Sequence, residues 1–224
     1  MWFYFLYNWL VKITGYIPQK FIVRNRIFYE DRSVQGRRIH GGSIIISNHT
    51  SVFDFAIVMF LFPTRTIRCL MAELLFKKNF FLTVFLKLMG GIKVDRTAHD
   101  YSFVNKCRKI LSKGGVIEIY PEARIPKADE ERPLEFKSSA AYIALESGAP
   151  IIPVYNSGHY FKKGYNDVII GTPIDVRELY DSKLSHTENL KMISEILRQR
   201  VIELKNELDR QTRSTEKEKE KVSV

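Results

Sequence analysis

The chain has 224 residues, 45% of them hydrophobic, and a net charge of +10. It can bury the core of one α/β domain and is too apolar for a wholly disordered polypeptide. Its two cysteines, Cys69 and Cys107, show no metal or redox spacing, so they read as free thiols rather than a disulfide or zinc framework. The basic excess favours anionic partners without choosing among lipid headgroups, phosphorylated substrates, acidic carrier proteins and nucleic acid.

Residues 1–20 are apolar and rich in aromatics. No basic stretch precedes the apolar run and no small-residue cleavage site follows it, so it makes a poor signal peptide. It is also shorter than the ~20 apolar residues that a clean span needs. On a helix, Asn8, Lys12 and Gly15 share one stripe, while Trp2, Phe3, Phe5, Leu6, Trp9, Leu10 and Ile13 cover the rest. Because Trp and Tyr favour the membrane interface, this pattern predicts a helix embedded in one leaflet. A helix packed on the protein's own core is the other reading. Pro18 is expected to end it.

Phe21 to Tyr29 alternates weakly, as a strand does. The β-branched run Ser43–Ser47 suits a buried parallel strand. Ile67–Ala72, Ile92–Asp95, Val116–Tyr120, Ile151–Tyr155 and Val168–Ile170 are further strand candidates. Helical patterns cover Phe53–Phe62, Phe80–Met89, Tyr101–Leu111 and Ser138–Glu146. Strands alternating with helices predict a single α/β domain over 21–210, with a mainly parallel sheet flanked by helices. Ser185 and Glu188 form a capping box, and Leu190, Ile193, Leu197, Val201, Leu204 and Leu208 repeat at helical spacing behind it. The charged tail 211–224 has nothing to bury and is expected to be disordered.

Four short segments carry candidate chemistry. In Asn48-His49-Thr50-Ser51-Val52-Phe53-Asp54, a strand gives way to a helix, placing His49 at the C-terminal end of a strand, where open α/β sheets bind ligands. A turn can bring Asp54 to one imidazole nitrogen and leave the other as a base for a substrate hydroxyl. Ser51 and Asp54 also spell a capping box, so Asp54 can equally be a helix cap. In Gly90-Gly91-Ile92-Lys93-Val94-Asp95-Arg96, an arginine at a strand end suits a phosphate, or simply pairs with Asp95. Val116–Tyr120 runs into Pro121-Glu122-Ala123-Arg124, so Glu122 and Arg124 emerge beside His49 if the strands are parallel. The fourth segment is Pro150-Ile151-Ile152-Pro153-Val154, preceded by Phe136-Lys137.

In order and spacing, these segments resemble the glycerolipid acyltransferase family that includes the 1-acylglycerol-3-phosphate acyltransferases. That family shows Asn-His-x4-Asp, then a Gly-rich strand ending in Asp-Arg or Arg-Arg, then Phe-Pro-Glu-Gly-Thr-Arg, then a Pro-Ile-x-Pro-Val strand. The resemblance runs from about Phe28 to about Pro173. Three positions depart from it: Ala123-Arg124-Ile125 stands for Gly-Thr-Arg, Lys93 takes a position that is often aromatic, and Ser139 lies near where glycine is usual.

The resemblance implies that His49 is the general base, oriented by Asp54, and that the acceptor hydroxyl attacks an acyl thioester directly. It implies that Arg96, Glu122 and Arg124 hold the acceptor, with Lys93 and Lys137 as further phosphate ligands and Asn48 or nearby backbone N–H groups at the oxyanion. The donor would be acyl-CoA or acyl carrier protein, the acceptor a lysophospholipid, and the product phosphatidic acid. The enzyme would work on the cytoplasmic face of a membrane, with no metal or other cofactor. His40, His99, His159 and His186 show no ligand spacing. A serine hydrolase would need a Gly-x-Ser-x-Gly elbow, which is absent. A non-catalytic lipid-binding protein with this fold would not need both His49 and Asp54. No zinc spacing, RNA-binding signature or helix-turn-helix pattern supports a nucleic-acid partner.

Overall fold

The isoleucine run Ser43–Ser47 becomes the central strand of a sheet in the computed structural model, which describes residues 2–94, 102–161 and 164–222. The helices are α1 (Trp2–Ile22), α2 (Asp54–Leu61), α3 (Glu73–Phe76), α4 (Phe80–Leu88), α5 (Ser102–Leu111), α6 (Ser139–Ser147) and α7 (His186–Val222). The strands are β1 (Asn25–Tyr29), β2 (Ser43–Ser47), β3 (Ile67–Ala72), β4 (Ile92–Val94), β5 (Val116–Ile119), β6 (Ile151–Asn156) and β7 (Asn166–Ile170). They pair in the order β1-β7-β6-β2-β5-β3-β4.

Five strands, β6, β2, β5, β3 and β4, run parallel. β7 turns back antiparallel to β6 and carries the edge strand β1 parallel to itself, so these two strands oppose the rest. The β6–β7 connection is too short for a helical crossover, which forces the reversal. Alternation along β2 and β5 divides the core. Ile44, Ile46, Ile117 and Ile119 pack with α5, α6 and α7 on one face, and Ile45 and Val116 meet α2 on the other.

Three expectations need correcting. Pro18 does not end α1; the helix runs on to Ile22 and shortens the strand that was expected from Phe21. The lost backbone hydrogen bond is outweighed by anchoring on both sides of the proline: Lys12 and Val23 are buried, and Val23 N–H still reaches Gln19 O at 2.9 Å. The tail beyond Arg210 continues α7 to Val222. Its Glu and Lys residues are good helix formers, and Gln211 bonds Tyr29 O at 3.0 Å.

Among the described residues no helix is long and apolar enough to cross a membrane. α1 is inverted relative to an ordinary surface helix. Its polar stripe faces the protein, with Asn8 and Lys12 buried, while Phe3, Leu6, Leu10, Ile13, Ile17 and Phe21 are exposed. The Lys12 ammonium donates to Phe62 O at 2.9 Å and also to Arg65 O, placing a cation at the C-terminal end of α2. Burial pushes this amine down to about 8.

Candidate active site

β2 and β5 are neighbours in parallel register, so both chains leave the sheet at the same edge. His49 follows β2, and Tyr120, Pro121 and Glu122 follow β5. The turn after His49 brings Asp54, the first residue of α2, back to the imidazole, with Nδ1 and Oδ2 2.6 Å apart. The same Oδ2 accepts Thr50 N–H at 2.7 Å and Ser51 N–H at 2.9 Å. Oδ1 accepts Thr50 Oγ1 at 2.8 Å and Tyr160 OH at 2.5 Å. Asp54 therefore ties the turn before α2 together and holds His49 at once; the helix N-cap is Phe53, which has no side-chain cap, so the expected capping box does not form.

The carboxyl of Asp54 is 1% exposed. Burial alone would raise its pKa; the hydrogen bonds from His49, Tyr160, Ser51 and Thr50 outweigh that and hold it below its ordinary value. An ionised partner on Nδ1 fixes that nitrogen as the protonated one. Nε2, which no described residue hydrogen-bonds, is left as the acceptor of a proton. The imidazole keeps 21% exposure, so a substrate can reach it.

Tyr120 stacks on the His49 ring with centroids 4.4 Å apart and planes 20° off parallel. Its hydroxyl donates to Glu118, an acid on the central strand that is 1% exposed. Burial pushes the Glu118 carboxyl well up, which favours its neutral form beneath the site. Sequence reasoning missed Tyr120, Glu118, Thr50 and Tyr160. The strand period gave a signal for Glu118, an acid inside a run of buried residues. Nothing local marked Tyr160, whose approach depends on the β6–β7 reversal. Gly158 enables that approach: a Cβ there would fall 2.7 Å from Thr50 Oγ1.

The expected substrate contacts divide. Glu122 does come to His49, but its Oε1 holds His49 N–H at 2.7 Å and its Oε2 holds Leu134 N–H at 2.9 Å. It thus ties the His49 turn to the 123–137 loop. Asn48 is a second tie: its amide donates to Asn156 O and accepts Asn156 N–H, both at 2.9 Å, joining the ends of β2 and β6. The side chain of Asn48 and the N–H groups of His49, Thr50 and Ser51 are all partnered, so none of them is directed at an oxyanion.

Arg124 grips Glu130 through both terminal nitrogens at 2.6 Å on the exposed loop. Lys137 stays at the site's edge, its N–H on Pro121 O at 2.9 Å and its side chain exposed. Lys93 lies three strands from β2, about 14 Å at the usual strand spacing. It pairs with Glu73 at 2.6 Å. Lys93 lines a cleft of about 270 Å³ with Lys77, Lys87, Lys106 and Glu73, and Glu73 pairs with both Lys93 and Lys77. Arg96 and Asp95 lie outside the described residues. Among those described, no cluster of three His, Cys, Asp or Glu side chains is placed to hold a metal.

Residues 8–157 match the Acyltransferase family model. The chain is 32% identical over 137 residues to the 1-acyl-sn-glycerol-3-phosphate acyltransferase of Bacillus subtilis, covering 59% of this chain and 66% of that protein. It is 26% identical over 157 residues to human 1-acyl-sn-glycerol-3-phosphate acyltransferase beta, covering 70% of this chain and 55% of the human one. The match therefore spans between half and two thirds of these relatives. The fold is shared with the crystal structure of the 1-acyl-sn-glycerophosphate acyltransferase PlsC from Thermotoga maritima, at a TM-score of 0.57 and 21% identity over 82% of this chain and 73% of that one. The family match spans more than half of the chain and includes both His49 and Asp54, whose side chains meet at 2.6 Å, and by that match the chain belongs to the acyltransferase family.

Proposed function

We propose that the chain transfers a fatty acyl group from acyl-CoA or acyl carrier protein to the free hydroxyl of 1-acylglycerol-3-phosphate, making phosphatidic acid. The observation that carries this reading is the 2.6 Å contact of His49 Nδ1 with Asp54, which leaves Nε2 open at the sheet's C-terminal edge. Nε2 takes the acceptor's hydroxyl proton as its oxygen attacks the thioester carbonyl, and the imidazolium formed is held by the Asp54 carboxylate. Collapse of the tetrahedral intermediate breaks the C–S bond, and the leaving thiolate recovers the proton from Nε2. The acceptor's phosphate is assigned to the basic side of the site. Arg96 and Lys137 are the ligands assigned to it, while Lys93, three strands from β2 and paired with Glu73, would have to reach the phosphate from a separate cleft. Arg124, already paired with Glu130, would have to exchange partners to join them.

The chain works at a membrane in this reading, with α1 lying in one leaflet. Its inverted amphipathicity supports this: an apolar face turned outward and a buried lysine turned inward suit lipid better than water. The deciding experiment supplies purified protein in vesicles with labelled acyl-CoA or acyl carrier protein and a panel of lysolipids, with products read by mass spectrometry. Phosphatidic acid as the main product is expected. Acylation confined to acceptors without a phosphomonoester would overturn the acceptor, and no transfer from either thioester would overturn the activity.

A further inference from the structure

Apart from Thr83 and the exposed Lys87 in its last turn, α4 is apolar on both sides. Leu86 points inward, while Phe80 and Phe81 are 75% and 84% exposed, with Val84 and Phe85 beside them on the outer face. Leu74 on α3 is 73% exposed. A helix that is hydrophobic all round belongs in a core or in lipid, and the described residues provide no core over this face. Scattered exposed apolar side chains are ordinary, but a cluster spread over two successive helices marks an interaction surface.

We infer that α3 and α4 form a second membrane-docking face that settles on an anionic bilayer; this rests on the proposal that α1 lies in the leaflet. Charge chooses this occupant over a protein partner. Lys77, which pairs with Glu73 at 3.3 Å, and Lys78 are exposed between the two helices, with Lys87 exposed on α4, within a chain of net charge +10. Lysines flanking buried aromatic side chains are placed to meet anionic headgroups while the rings enter the acyl boundary. α4 also packs against α1.

Position gives the face a purpose. α3 follows directly on β3, which runs parallel to β5, and β5 runs parallel to β2. Leu74 and the start of α4 therefore lie at the same sheet edge as His49. Docking there holds the catalytic edge against the bilayer, and a lysolipid can present its hydroxyl without leaving the membrane.

The test uses the full chain and vesicles of phosphatidylglycerol and phosphatidylcholine. The double variant Phe80→Ser/Phe81→Ser should partition about ten- to a hundredfold more weakly than the native chain, since two largely exposed rings no longer enter lipid. Its melting temperature, measured in micelles, should be unchanged, because neither ring is in the core. Lys77→Gln/Lys78→Gln should weaken binding to the anionic vesicles but not to pure phosphatidylcholine. An environment-sensitive dye on Phe81→Cys should shift to the blue when vesicles are added; Cys69 and Cys107 are buried and will not compete for it.

Native partitioning by Phe80→Ser/Phe81→Ser, with no shift at Phe81→Cys but a shift at Leu10→Cys, would overturn this inference and leave the α1 reading standing. No shift at either site would overturn both. A stoichiometric dimer in non-ionic micelles that the double variant splits would assign the face to a second copy of the chain, and would also overturn the inference.

Discussion

Replacing Asp54 with asparagine preserves shape and removes charge, so it separates what the carboxylate does for the fold from what it does for the reaction. In the native site, Oδ2 takes His49, Thr50 N–H and Ser51 N–H, while Oδ1 takes two hydroxyls. Asparagine keeps the first three bonds if its oxygen occupies the Oδ2 place, and its NH2 then meets hydroxyls that can rotate to accept. The reverse orientation would set that NH2 against two backbone N–H donors and is disfavoured. The fold therefore loses only charge assistance, about 1–3 kcal/mol from the difference between charged and neutral acceptors. Catalysis loses more. An imidazolium and a carboxylate with charge centres ~4 Å apart attract by about 4 kcal/mol at an effective dielectric near 20. Without that attraction the rate should fall by about three orders of magnitude. Steady-state kinetics with donor and acceptor varied separately should show the loss in kcat, with both KM values changed only a few-fold. A folded Asp54→Asn protein retaining kcat within about tenfold of native would refute this reasoning.

Three more outcomes follow from the same geometry. Tyr160→Phe removes one donor to Asp54 and the acceptor that Asn156 uses, so denaturant unfolding should show a loss of about 1–3 kcal/mol, with a smaller fall in kcat than for Asp54→Asn; unchanged stability would mean that the hydroxyl is not engaged. Ala123 sits at φ +61°, in the left-handed region. Relief of about 1–2 kcal/mol of strain in Ala123→Gly should exceed the ~0.4–1 kcal/mol that glycine adds to the unfolded chain's entropy, so melting should rise by a few degrees; a fall would contradict it. Glu118 is raised by burial, so the folded state keeps a proton that the unfolded chain releases near 4.5. Stability should therefore fall as pH rises above that value, and Glu118→Gln should flatten the melting-temperature profile on the alkaline side of it; parallel profiles would contradict this.

The centre of the fold was legible because its signals are local. Ser43–Ser47 and Val116–Ile119 are short buried runs whose meaning depends little on the rest of the chain. His49 and Asp54 were legible for the same reason, since a single turn joins them. Pro18 misled because a propensity of about 3 kcal/mol is smaller than the packing of a long helix anchored on both sides. Arg124 and Asn48 looked like ligands because sequence places them near the site without showing what else competes for their hydrogen bonds. In the structure Arg124 bonds Glu130 and Asn48 bonds Asn156. Tyr160 was invisible because its contact with Asp54 joins residues 106 positions apart.

The central claim is that His49 is the base for acyl transfer to a lipid hydroxyl. The most direct measurement is the time course of phosphatidic acid formation from acyl thioester and 1-acylglycerol-3-phosphate in vesicles, comparing the native chain with His49→Ala. A folded variant that binds the same vesicles and forms product about 10²–10⁴ times more slowly is the result predicted for loss of a general base. Product formation at the native rate by that variant would contradict it.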